Sequence, residues 1–118
     1  LLVLSYRGQR SGKTFTIPLV YVMQDGHAYG FTRDTAWWKS AVSAPSVSIW
    51  LRGAQQTVVA ERAANTDTEA RAAFTAFLRE NPGTAKLLYN VRITPSGEPD
   101  AADVDREIPN SKIIRWKL

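Results

Sequence analysis

Apolar and polar residues alternate through most of the first half of the chain, which is the two-residue period of β-strands. Residues 1–7 (LLVLSYR) read as a strand, and residues 8–13 (GQRSGK) as a polar turn carrying two glycines. Residues 15–23 are rich in β-branched and aromatic side chains and make a second strand. Pro18 within it cannot donate to a ladder, so that part belongs at an edge, a bulge or a strand entry. Asp25-Gly26 then supplies the positive φ of a tight hairpin, with 28–32 as the returning strand. Residues 36–44 are compatible with a helix of one or two turns that stops before Pro45. Val47, Ile49 and Leu51 alternate with Ser46, Ser48 and Trp50, and Arg52-Gly53 leads into residues 57–60 as a second hairpin. Five strands are expected by residue 62.

After residue 65 the period changes. Thr66 and Glu69 have capping-box spacing, and Ala70, Ala73, Phe74, Phe77 and Leu78 fall at i, i+3, i+4, i+7 and i+8, so one face of a helix is apolar. Asn81-Pro82-Gly83 ends it. A short helical stretch is expected over 84–89, a polar turn-rich loop over 95–105, and a last strand over 112–118. No repeat, linker or low-complexity tract divides the chain. The expectation is one domain over 1–118 of α+β class, a small barrel built from early strands, a late helix and a closing strand.

Composition narrows the chemistry. With 44% hydrophobic residues and 12 aromatics among 118, a core can form without crosslinks. The chain has no cysteine, which removes disulfides, thiolate nucleophiles and Cys-based metal sites, and the expected location is the cytoplasm. No apolar run approaches the roughly 18–20 residues of a membrane helix. The chain opens on Leu1 rather than Met, so a preceding segment is expected.

The formal net charge of +4 is unevenly spread: residues 1–39 hold Arg7, Arg10, Lys13, Arg33 and Lys39 against Asp25 and Asp34, an excess of three. A local cluster of cations suggests an anionic ligand. Gly12-Lys13-Thr14 resembles the end of a phosphate-binding P-loop, but only three residues separate Gly8 from Gly12 and a proline-containing strand follows instead of a helix. Backbone amides, the Ser11 hydroxyl and the charges of Arg10 and Lys13 could still converge on a phosphate. On residue types alone, a solvated basic turn is the commoner meaning of such a run. The sole His27 follows a hairpin turn, so neither a nucleophilic triad nor a metal site has recognisable spacing, and no side chain is assigned as catalytic. An organic cofactor would then have to bring the reactivity. Trp37 and Trp38 near Arg33 and Lys39 could stack on a planar ring. Adjacent helical residues point about 100° apart, so Trp37 is expected at the site and Trp38 on the barrel.

Arg10-Ser11-Gly12-Lys13, Ile17-Pro18-Leu19-Val20-Tyr21, Asp25-Gly26 and Thr32-Arg33, extended by Ala36-Trp37-Trp38 and Ala44-Pro45, together resemble the flavin/deazaflavin oxidoreductase family. That family includes deazaflavin-dependent nitroreductases and is related to pyridoxamine-phosphate oxidases. The resemblance is densest over 1–62. It implies a mainly antiparallel split β-barrel of about six strands with one or two flanking helices. It also implies a phosphate site from the first turn and the end of the third strand, with the following helix framing the ring. Carried over by position, the cofactor-binding residues are Arg10, Ser11, Gly12, Lys13, Thr32, Arg33 and Trp37. Phe15 stands where relatives often carry Arg, and Ser40 where they often carry Asn, so the choice between FMN and a deazaflavin (coenzyme F-420) stays open.

The expected activity is hydride exchange between that cofactor and a small-molecule substrate such as a quinone or nitro compound, with Tyr21 and Tyr89 as substrate-side candidates. The rival from another class is a protein that binds the cofactor or a hydrophobic ligand without turnover. Single-stranded nucleic acid would need a stronger excess of cations than +4, and neither it nor a membrane is an expected partner. Related split barrels often pair, so a homodimer is part of what the resemblance implies.

Overall fold

The computed structural model describes residues 2–8, 11–33 and 37–118. Its strands are β1 (Leu2–Arg7), β2 (Thr14–Leu19), β3 (Val22–Gln24), β4 (His27–Thr32), β5 (Val47–Leu51), β6 (Ala54–Val58), β7 (Ala60–Ala63) and β8 (Lys112–Lys117). They form two antiparallel sheets in the orders β2-β1-β5-β6 and β3-β4-β8-β7. Only Val20 and Tyr21 separate β2 from β3, and only Val59 separates β6 from β7, so two bent strands pass from one sheet to the other. The eight segments are therefore six continuous strands, the number the sequence implied. Pro18 sits in β2, at an edge of its sheet. The tight reversals at Asp25-Gly26 (φ 51° and 76°) and Arg52-Gly53 (φ 53° and 78°) have the paired positive φ of type I′ hairpins.

Side-chain alternation sorts the residues between two cores. Leu2 and Leu4 of β1, Ile49 and Leu51 of β5, Val58 of β6, Ala60 of β7, Ala28 of β4 and Ile114 and Trp116 of β8 fill the space between the sheets. Burying such side chains contributes about 1.5–3 kcal/mol each. Helix α1 (Trp37–Ser43) packs on this barrel through Ala41, with Trp37, Trp38 and Val42 against the same cluster.

The opposite face of the second sheet carries Tyr29, Phe31 and Ile113, covered by α2 (Thr68–Glu80) and α3 (Pro82–Leu88). All five residues of the expected apolar stripe of α2 are buried. Phe31 stacks on Phe77 with centroids 4.7 Å apart, and Phe74 meets Tyr89 edge-on at 5.1 Å, so aromatic packing fastens the helix to the sheet. The cap of α2 differs from expectation. Asp67, not Thr66, is the N-cap, its carboxylate accepting from the Ala70 N–H at 3.0 Å.

The stretch read as a loop over 95–105 also differs. It contains the start of α4 (Ala101–Glu107), capped by Asp100, which accepts from the Asp103 N–H at 3.0 Å, and a short 3-10 turn (Ile108–Asn110) follows. Two buried apolar side chains, Val104 and Ile108, attach it to the helical core. Among the described residues no helix is long and apolar enough to cross a membrane.

Candidate functional site

The residues singled out in the sequence come from two segments of the chain, the turn after β1 and the end of β4 with the start of α1. Arg33, one residue beyond β4, lines an open cleft of about 510 Å³ with Pro109, Asn110 and Lys112. Lys112 reaches it because β8 pairs with β4 in the register that sets Thr32 opposite Lys112. Two cations and no carboxylate are among those four residues, which suits an anionic ligand group. The Arg33 guanidinium is anchored from behind. It donates through Nη1 to the Leu88 carbonyl and lies 5.7 Å from the centre of the Tyr89 ring. A guanidinium has five N–H donors, so this anchorage leaves donors for a ligand.

Tyr89 forms the wall beneath rather than a substrate contact. It is 2% exposed, and its hydroxyl is 3.2 Å from Ser111 Oγ. Burial pushes its phenol pKa up, against the hydrogen bond to Ser111 and the Arg33 charge, both of which pull it down. The substrate-side expectation for Tyr89 is thereby corrected, because its hydroxyl is enclosed in the core. Tyr21 packs half-buried against the barrel cluster.

The second group is the turn after β1. Gly8 N–H donates to the Lys13 carbonyl at 2.8 Å, Lys13 N–H donates to Ser11 Oγ at 3.2 Å, and Gly12 has φ 68°, which favours glycine. The turn is closed on itself, with Ser11, Gly12 and Lys13 exposed. Arg10 lies outside the described residues. None of the described turn residues lines the Arg33 cleft. Leu19 approaches β4, its Cδ1 within 3.8 Å of where a Gly30 Cβ would stand, whereas Thr14 lies five residues back along β2.

At the start of α1 both indoles are half-buried against the barrel. Trp38 also lies 5.0 Å from the Arg62 guanidinium and 5.7 Å from Lys39 Nζ, so the protein's own cations occupy its ring. Trp37 has no such pair among the described residues, and both indoles pack on the same barrel cluster.

Pro109, Asn110 and Lys112 were not anticipated. They come from a part of the chain about 80 residues after Arg33, and only the β4–β8 pairing brings them together. Among the described residues no group of three or more His, Cys, Asp or Glu side chains could hold a metal ion.

No protein-family model and no curated protein matches the chain. Solved structures do. A pyridoxamine 5'-phosphate oxidase-like protein of Listeria innocua is similar over 98% of this chain and 80% of its own, with a TM-score of 0.59 and 8% identity. An FAD-binding protein of Mesorhizobium loti is similar over 99% of this chain and 80% of its own, with a TM-score of 0.51 and 15% identity. These likenesses are of fold, and the fold they share with this chain is the α+β split β-barrel.

Proposed function

We propose that residues 1–118 act as one cofactor-binding domain of an oxidoreductase, holding a phosphorylated flavin or deazaflavin in the cleft beside Arg33. The observation that carries this reading is the cleft itself: about 510 Å³, open, and lined among the described residues by Arg33, Pro109, Asn110 and Lys112. That volume is within the range of small-molecule sites, and its charge suits a phosphate. The names of the two structural neighbours, one FAD-binding and one oxidase-like, support a flavin-type ligand.

Arg33 and Lys112 would neutralise the phosphate, and Arg33 is held for that task by Leu88 and Tyr89. Thr32, opposite Lys112 in the ladder, borders the same end of the barrel. Trp37, four residues after Arg33, would cover the ring and exclude water from it. The bound cofactor supplies the hydride chemistry, and the protein positions it against a small acceptor such as a quinone or nitro compound.

Fluorescence titration of the purified protein with FMN, FAD, the deazaflavin coenzyme and riboflavin tests the reading. Saturable binding of a phosphorylated form, tighter than that of riboflavin, is expected. Absence of binding by all four overturns it. Reduction of the bound cofactor followed by product from a quinone or nitro compound separates an enzyme from a carrier.

A further inference from the structure

A second, smaller pocket of about 180 Å³ opens where β1, β2 and β5 meet, lined by Ser5, Tyr6, Arg7, Thr14, Ser46 and Ser48 together with Val47. The ladder explains why these side chains gather. Ser5 pairs with Ser48 across β1 and β5, and Arg7 pairs with Thr14 across β1 and β2. Strand alternation sends Leu2 and Leu4 into the barrel and Ser5 and Arg7 to the other face. Five hydroxyl-bearing side chains, of Ser5, Tyr6, Thr14, Ser46 and Ser48, and one guanidinium therefore line the pocket, with no carboxylate among the described residues.

Arg71, Arg79, Arg92, Arg106 and Arg115 each meet a carboxylate. Arg7 makes no ion pair among the described residues. The space is too small for an isoalloxazine-sized ring system and suits a single tetrahedral anion, which takes hydrogen bonds from hydroxyls and a guanidinium at once.

We propose that this pocket is a phosphoryl-binding site, distinct from the Arg33 cleft, in which Arg7 and the hydroxyls of Ser5, Thr14, Ser46 and Ser48 hold free phosphate or the phosphate of a small monoester. The site stands whether or not the cleft binds a flavin, because the two share no residue among the described residues.

Amide chemical shifts followed during titration with inorganic phosphate, and separately with phenyl phosphate, test it. Perturbations centred on Ser5, Arg7 and Ser48 are expected. Arg7→Gln should weaken binding about tenfold or more, and Ser48→Ala by less, in keeping with the strength of hydrogen bonds to charged groups. A stronger response to phenyl phosphate identifies a monoester as the ligand, and an equal response identifies free phosphate. Flavin titration of Arg7→Gln should match the unaltered protein, which also shows that the variant is folded. Phosphate shifts confined to Arg33 and Lys112, or binding unchanged in Arg7→Gln, would overturn the proposal without touching the flavin reading.

Discussion

A Cβ placed on Gly30 would lie 2.9 Å from Cη2 of Trp116, so the barrel interior closes on a glycine of β4 facing an indole of β8. Trp116 is fully buried and cannot swing into solvent to make room. Gly30→Ala is therefore expected to destabilise the protein by about 1–3 kcal/mol, the usual effect of overpacking a filled core. Urea unfolding measures the loss. An unchanged midpoint would mean that the interior tolerates an added methyl group.

Asp67 joins two sheet strands to the first turn of α2. It caps the helix at the Ala70 N–H, and its other oxygen receives Nη1 of Arg115 at 3.0 Å, while Arg115 also meets Glu61. Asp67→Ala should cost about 1 kcal/mol, the typical value of an N-cap. Asp67→Asn keeps a capping oxygen and should lose less. If both variants lose the same amount, the ion pair rather than the cap is what matters.

The elements legible in the sequence are those with a local code. Asp25-Gly26 and Arg52-Gly53 announce their reversals because glycine adopts positive φ without strain, and α2 announces itself by its 3.6-residue stripe. Helix α4 escaped notice because it has only seven residues and is held by charge. Asp100 caps it, and Asp103 takes Arg92 and Arg106. The site was half legible for a related reason. Arg33 stands out near a strand end, but Lys112 becomes its neighbour only through the β4–β8 register, and no local pattern encodes that pairing.

Asp103 predicts an acid-dependent loss of stability. It accepts from the Arg92 backbone N–H at 3.0 Å, from Arg92 Nε at 3.1 Å and from Arg106 Nη1 at 2.8 Å. These bonds, the backbone one foremost, lower its pKa from 3.8 to about 2. A carboxyl group with a depressed folded-state pKa stabilises the fold above its unfolded value, and the contribution fades as pH falls through the folded one. Asp103→Asn should therefore be less stable than the unaltered protein at neutral pH, with the gap narrowing between pH 3.8 and about 2. Thermal unfolding of the pair across that window measures it, and a constant gap would assign the effect to packing.

Lys112 offers the cleaner test of the cleft. Arg33 also fastens α3 through Leu88, so its removal disturbs structure and charge together, whereas Lys112 stands at the start of β8 with its charge on the cleft. Lys112→Gln should raise the Kd for FMN about tenfold and leave that for riboflavin nearly unchanged, because only the phosphate senses the lost cation. High salt should shrink the difference by screening an exposed charge pair. Lys13→Glu is the companion variant. A loss equal to that of Lys112→Gln would place the first turn at the cofactor site with Arg33, and FMN affinity kept within about twofold would exclude Lys13 from it.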